Sequence, residues 1–89
     1  MRAIVTVVGK DRVGIIAGVC VALSQANVNV LDISQTILEG FFTMTMLVSL
    51  DACAISFAEL TGKLDGVAEE LGVNIRIQRE DIFNAMHRI

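Results

Sequence analysis

The residues best suited to chemistry lie in one short loop, Gly9-Lys10-Asp11-Arg12-Val13-Gly14-Ile15. This loop leaves a β-branched segment and enters one with helical spacing, so free backbone amides and the positive end of a helix dipole should face outward. Such an end attracts a carboxylate or a phosphate, and the Asp11 carboxylate could hold an ammonium group. The combination suits an α-amino acid. An ordinary turn in which Asp11 caps the helix would explain the same residues.

Two asparagines form the second candidate group. Asn27 and Asn29 flank the start of the second predicted strand, and we expect the fold to place them beside the first loop. An asparagine amide can donate to a carboxylate and accept from an amine. Asn27 also has a structural explanation, because it stands where a left-handed residue would end the first helix.

Other residue types that support catalysis or metal binding are not arranged for it. Met44 and Met46 alternate with threonine, which is typical of core filling. His87 stands alone near the end of the chain. Cys20 and Cys53 sit among apolar residues and are interpreted as reduced core thiols. The sequence shows no nucleophile–base pair and no paired carboxylates, so we predict no enzyme activity, no metal and no cofactor.

Composition bounds the class of protein. The chain has 89 residues, of which 54% are hydrophobic, so it should form one domain and cannot be disordered. Seven basic and ten acidic residues give a net charge of −3, which argues against a nucleic-acid partner. The longest apolar run, Val13–Leu23, is too short to span a membrane, and no signal-peptide pattern precedes it. We therefore expect a cytoplasmic protein with no membrane partner.

Hydrophobic spacing predicts the element order β-α-β-β-α-β. Ser56-Phe57-Ala58-Glu59 is a capping box that begins the second helix, and Gly72 ends it. Two split βαβ units of this kind form the ferredoxin-like α+β sandwich, a four-stranded antiparallel sheet with two helices on one face. Right-handed crossovers place strands 1 and 3 in its centre. The predicted strands are Arg2–Val8, Val28–Leu38, Phe41–Leu50 and 73–78, the helices are Gly14–Ala26 and 57–71, and a short tail helix occupies 79–89.

Strand 2 is a long edge strand with little protection against pairing. It lacks proline and lysine and carries one charge, Asp32. A two-fold homodimer that joins strand 2 to its symmetry mate would occupy this edge, and the alternative is that the tail helix covers it within the monomer. The open face of the sheet is also semi-apolar, and we expect the tail to lie over part of it. That face should carry Ile4, Thr6, Val8, Thr43, Thr45 and Leu47.

The whole pattern resembles the ACT domain, a small regulatory module of amino-acid metabolism. The resemblance covers residues 1–78 and rests on a strand, then Lys10-Asp11-Arg12-Val13-Gly14-Ile15-Ile16, then a helix that exits into Asn27-Val28-Asn29-Val30. The chain is similar to the free-standing single-domain ACT proteins of bacteria and archaea. The resemblance implies a side-by-side homodimer through strand 28–38 that binds an amino acid between the first loop and the start of strand 2. The binding residues it implies are Asp11, Val13, Gly14 and Ile15 in the loop, and Asn27, Asn29 and Val30 across it.

The chain departs from the family pattern in two respects. Many members carry proline before the loop glycine, and Val13 at that position makes the loop less rigid. We also expect no attached catalytic or DNA-binding domain, so the regulated protein should be a separate partner.

Three functions therefore stay open. The first is a non-catalytic regulatory homodimer that binds an amino acid. The second is a protein-interaction module that needs no ligand and docks a strand on its open edge. The third is a small acyl-phosphate hydrolase on the same fold, for which Arg12 is present in the loop but the rest of the pattern is missing.

Overall fold

A four-stranded antiparallel sheet with two helices makes up residues 1–82, the part of the chain that the computed structural model describes. The strand order is β2-β3-β1-β4, so strands 1 and 3 are central as predicted and the ferredoxin-like fold is confirmed. Residues 80–82 begin a helix, and the rest of the predicted tail helix, 83–89, lies outside the described residues. The elements are β1 (Arg2–Lys10), α1 (Ile15–Gln25), β2 (Asn29–Leu38), β3 (Phe41–Ser49), α2 (Phe57–Leu71) and β4 (Asn74–Arg79).

Four left-handed residues set the turns that the sequence predicts, and one of them, Gly72 with a φ of 69°, ends the second helix. Asn27 has a φ of 59° and ends the first helical segment. Glu39 and Gly40 have φ values of 52° and 81°, the pattern of a two-residue hairpin link whose twist matches that of the flanking strands. The hairpin fixes the register of β2 against β3, beginning with Leu38 opposite Phe41.

β1 is longer than predicted, because Gly9 lies inside the strand and does not end it. Gly9 pairs with Phe42, and Lys10 pairs with Phe41 at the last position of the ladder. A Cβ atom on Gly9 would lie 2.7 Å from Val73 Cγ1 and 3.1 Å from Val73 Cα. The glycine is therefore needed for the close approach of the chain that leads into β4, and has no role as a strand breaker.

The core lies between the sheet and the two helices. Phe42, Met44, Met46 and Val48 alternate along β3 and are buried, which confirms the predicted core-filling role of the methionines. Alternate residues of β1 and one stripe of each helix complete the layer. They are Ala3, Val5, Val7, Ile15, Val19, Ala22, Leu23, Leu60 and Leu64.

The structure confirms the predicted hydrogen bond from the Glu59 N–H to the Ser56 side chain in the capping box of α2. The Glu59 N–H donates to the Ser56 hydroxyl at 3.1 Å, and the same hydroxyl donates to the Glu59 carboxylate at 3.1 Å. The sequence predicts that this carboxylate accepts from the Ser56 amide instead. The N–H of residue 59 is in either case satisfied by the cap.

Replacing Ser56 by alanine should lower the free energy of unfolding by about 1 kcal/mol, because the capped N–H of α2 loses its acceptor. Urea denaturation followed by circular dichroism measures the change. Thr61→Ser is a matched control, since it keeps the hydroxyl that donates to the Phe57 carbonyl at 2.9 Å. An unchanged unfolding midpoint for Ser56→Ala would show that the cap contributes nothing.

Candidate ligand-binding site

The first loop, here residues 11–14, is tied down on two sides. The Asp11 N–H donates to the Gly40 carbonyl at the tip of the β2–β3 hairpin, at 2.7 Å. The Arg12 guanidinium donates to the Leu71 carbonyl in the last turn of α2, at 3.1 Å. A cation at the C-terminal end of a helix is favourably placed against the helix dipole. The loop therefore connects the hairpin tip to the end of α2.

The start of α1 is uncapped by any side chain. Its N-cap residue is Gly14, with a φ of 94°, and no side chain among residues 1–82 forms a capping hydrogen bond to the first turn. The suggestion that Asp11 caps this helix is therefore wrong. The first intrahelical bond shown runs from the Gly18 N–H to the Gly14 carbonyl at 2.8 Å. The N–H groups of the first turn have no intrahelical acceptor, so they are available to an anion.

A groove of about 430 Å³ opens beside this helix start. Ile15 and Phe42 are buried and form its floor, while Ile16 and Ile37 are exposed along its sides. The Asp11 carboxylate, the Arg12 side chain and the uncapped amides supply its polar groups. We refer to it as the loop groove. Its lining residues are Asp11, Arg12, Gly14, Ile15, Ile16, Ala17, Gln35, Ile37 and Phe42.

Three of the four predicted loop residues line this groove, namely Asp11, Gly14 and Ile15. Val13 does not line it, and its side chain is 96% exposed to solvent. An apolar side chain held almost wholly in water makes no contribution to the folded core. Its position at the tip of the loop leaves it free to contact another molecule.

The other predicted residues lie at the far end of the molecule. Asn29 and Arg2 both pair with Ser49, so the start of β2 lies level with the start of β1. The loop follows the end of β1, where Lys10 pairs with Phe41. Eight residues of strand separate the two ends, about 26 Å. The expectation that Asn27 and Asn29 lie beside the loop of their own chain is therefore wrong, because β1 and β2 run in the same direction.

Around Asn27 the structure shows a second, smaller groove of about 310 Å³, which Asn29 and Val30 also line. The Asn27 side-chain amide donates to the Ala52 carbonyl at 2.9 Å and ties the end of α1 to the loop before α2. This bond supports the structural explanation for Asn27. The Asn29 side chain is on the exposed edge strand.

Sequence reasoning missed Gln35 and Ile37, which bring β2 into the loop groove. A signal for them was present in the predicted topology. A right-handed crossover makes β2 parallel to β1, so the end of β2, and not its start, lies beside the loop that follows β1.

The β2 edge is bare within residues 1–82. β2 is the outermost strand, and it leaves Leu31, Ile33, Ile37 and Leu38 exposed. Ile33 and Ile37 stand opposite the buried Met46 and Phe42, so they share the helix-side face but extend beyond the cover of the helices. The described part of the tail leaves from β4, at the opposite edge of the sheet.

One local feature of β2 hinders the pairing of another strand with this edge. The ladder shifts register between Val30 and Asp32, and the Asp32 carboxylate accepts a hydrogen bond from the Ile33 N–H at 2.9 Å. That N–H therefore points away from β3. Strand N–H groups alternate in direction, so the N–H groups of Gln35 and Ile37 also face outward and can donate to a further strand.

Residues 2–78 match a family profile described as the ACT domain. The chain belongs to the ACT domain family. Over 89 residues this ACT domain is 52% identical to the UPF0237 protein lin0537 of Listeria innocua, with all of both chains covered. It is 49% identical over 88 residues to the UPF0237 protein MJ1558 of the archaeon Methanocaldococcus jannaschii, covering 99% of this chain and 98% of that one.

Among solved structures, the ACT domain protein from Streptococcus pneumoniae superposes with a TM-score of 0.81 at 43% identity and covers 93% of both chains. The resemblance in sequence to single-domain ACT proteins of bacteria and archaea is thus confirmed. ACT domains are typically regulatory modules that bind small molecules. Within residues 1–82, no helix of this ACT domain is long and apolar enough to cross a membrane.

Proposed function

We propose that this ACT domain is a non-catalytic, cytoplasmic regulatory module that binds an amino acid as a homodimer and is sensed by a separate partner protein. The uncapped start of α1 inside the loop groove carries the proposal. The ligand carboxylate would accept from the free N–H groups of the first turn, and Asp11 would receive the ammonium group. The regulated partner would respond to the change that binding makes in the dimer.

The walls of the loop groove favour an apolar ligand side chain. Ile16, Ile37 and Phe42 present hydrocarbon to the space beyond the polar groups. A charged side chain placed against these three residues would lose water without gaining an opposite charge from them, which is costly. An aliphatic amino acid would bury apolar area instead.

A homodimer would complete the site with the residues that lie far away in one chain. Pairing of two β2 strands about a two-fold axis is antiparallel, so the start of β2 in a second copy would lie beside the end of β2 in the first. Asn29 and Val30 of the second copy would then approach the loop groove through Ile37 and Leu38. In this arrangement the two predicted groups of binding residues would lie together in one site at the interface.

Thermal unfolding against each of the twenty amino acids tests the proposal, with sedimentation run beside it. An aliphatic amino acid should stabilise the protein by RT ln(1 + [L]/Kd), about 2.7 kcal/mol at a hundredfold excess over Kd. Charged amino acids should give a smaller shift. No shift with any amino acid, on a stable dimer, would instead support the protein-interaction module.

Gly14→Val should remove this ligand stabilisation, because its side chain would stand at the mouth of the groove where φ is 94°. The positive φ also strains the variant by about 1–2 kcal/mol. Gly72→Val is the matched control, since Gly72 has a φ of 69°, open space around its Cβ position and no part in the loop groove. Both variants should lose stability, and only Gly14→Val should lose the response to ligand. Retained affinity in Gly14→Val would contradict the loop site.

The acyl-phosphate hydrolase alternative is weakened by the structure. Such a site needs an arginine whose guanidinium is free to hold the phosphate. The Arg12 guanidinium donates from Nη1 to the Leu71 carbonyl at 3.1 Å, which directs the side chain towards the end of α2. Failure to hydrolyse a generic acyl phosphate would be consistent with this engagement.

A further inference from the structure

The outer surface of the helix layer holds a further groove, of about 650 Å³, between α1 and α2. We refer to it as the helix groove. α1 contains no charged residue, and its Val21 side chain is 54% exposed in this groove. The lining residues are Ala17, Gly18, Val21, Ala22 and Gln25 from α1, and Lys63, Gly66, Val67, Glu70 and Leu71 from α2. No other part of residues 1–82 covers this uncharged helix face, and an uncovered face of this kind is typical of a contact surface.

The helix groove has two charged lining residues of opposite sign, and both belong to α2. Lys63 and Glu70 lie on the same face of α2, seven residues apart, which is about 10.5 Å along the helix. The midpoint between them falls at Gly66 and Val67. Within residues 1–82 neither Lys63 nor Glu70 takes part in an ion pair.

We propose that the helix groove packs against the helix groove of a second copy of this chain, with the two α2 helices antiparallel about a two-fold axis near Gly66. In this arrangement Lys63 of each copy faces Glu70 of the other, so the contact forms two reciprocal ion pairs. A two-fold axis along the helices would instead bring Lys63 against Lys63 and Glu70 against Glu70. Charge complementarity thus selects the second copy as occupant and fixes its orientation.

Residue size at the proposed crossing point agrees with this packing. A Cβ atom on Gly66 would meet no heavy atom of residues 1–82 within 4 Å, so packing within those residues does not require glycine there. An exposed glycine inside a helix lowers helix stability relative to alanine. A helix that approaches to 8–10 Å uses the space that the missing side chain leaves. Val21 of each copy would lie beside this crossing and lose its exposure.

This contact uses the helix layer and leaves the β2 edge free. If both interfaces form and their two-fold axes meet at right angles, the assembly closes as a tetramer in which two edge-paired dimers stack through their helices. The two contacts can be removed separately, because the helix groove and β2 share no residue.

Charge reversal tests the proposal by sedimentation equilibrium over a range of protein concentrations. Lys63→Glu and Glu70→Lys should each weaken the helix-groove contact by about tenfold or more, because each brings like charges together. The double variant, which exchanges the two charges, should recover the association to within about threefold of the unaltered protein. Asp65→Lys is the matched control, since Asp65 is an exposed α2 charge outside the helix groove, and it should leave this contact unchanged.

Recovery in the double variant would support the proposed pairing, since only reciprocal contacts restore each other. Two results would overturn it: equal association of the unaltered protein and both single variants, or failure of the double variant to recover. Both side chains are accessible to solvent, so all variants should fold, and circular dichroism checks that they do. The Gln35→Pro background separates the two interfaces, and there the helix-groove contact should form a dimer that Lys63→Glu dissociates.

Discussion

Gln35→Pro should halve the mass of the assembly in solution. The Gln35 N–H faces away from β3, on the side where a second β2 strand would pair, so proline removes a donor that only the partner would use. An edge strand tolerates proline at such a position, and the sheet should keep its fold. Sedimentation velocity measures the mass, and the circular dichroism spectrum reports the fold.

Gln35→Val is the matched control for this experiment. It keeps the backbone N–H and changes only a side chain that also lines the loop groove. The valine variant should retain the mass of the unaltered protein. If the proline variant also retained it, with normal spectra for both, pairing through β2 would be contradicted.

Gly9→Ala should lower the free energy of unfolding by about 1–3 kcal/mol. The added methyl group would lie 2.7 Å from Val73 Cγ1, 3.0 Å from Val73 Cβ and 3.1 Å from Val73 Cα. Because the neighbour includes backbone, the contact cannot be relieved by rotating one side chain, and β1 must separate from the segment that begins β4. Urea denaturation measures the loss.

Gly62→Ala is the opposite case and serves as its control. Gly62 lies inside α2, and a Cβ atom there would meet no heavy atom of the described residues within 4 Å. The same substitution should therefore raise the free energy of unfolding by about 1 kcal/mol, since alanine is the better helix former. Equal effects of the two substitutions would show that the close approach at Val73 is not a constraint on the fold.

The position of the first loop suggests how binding could be passed on. Its two hydrogen bonds join the loop groove to the β2–β3 hairpin through Gly40 and to α2 through Leu71. A ligand can shift the dimer only as far as it binds two arrangements unequally. The loop contacts both the β2–β3 hairpin and α2, so a shift of either element in the dimer would change the position of the loop and its affinity for the ligand.

The sequence was sufficient for the order and type of the elements within residues 1–79, because these depend on local physics. Asn27 and Gly40 adopt the left-handed conformation that their residue types favour, and Glu39 adopts it as the first residue of the two-residue hairpin link. Alternation along β3 identified its buried face, and the capping box identified the start of α2. Crossover handedness then fixed the strand order.

The loop part of the candidate site could also be predicted, because a glycine after a strand and before an apolar helix marks an exposed helix start. The residues that complete the loop groove could not be found by local pattern. Gln35 and Ile37 lie more than twenty residues beyond Asp11 and Gly14, and their approach depends on the direction of β2 relative to β1.

Only the tertiary structure decided where the predicted residues lie relative to one another. It placed Asn29 about 26 Å along the sheet from the loop of its own chain, and it assigned the Arg12 guanidinium to the end of α2. It also showed that Gly9 is fixed by the close approach of Val73. These facts depend on contacts between segments distant in sequence, whereas residue type and spacing determine the local conformation from which those segments are built.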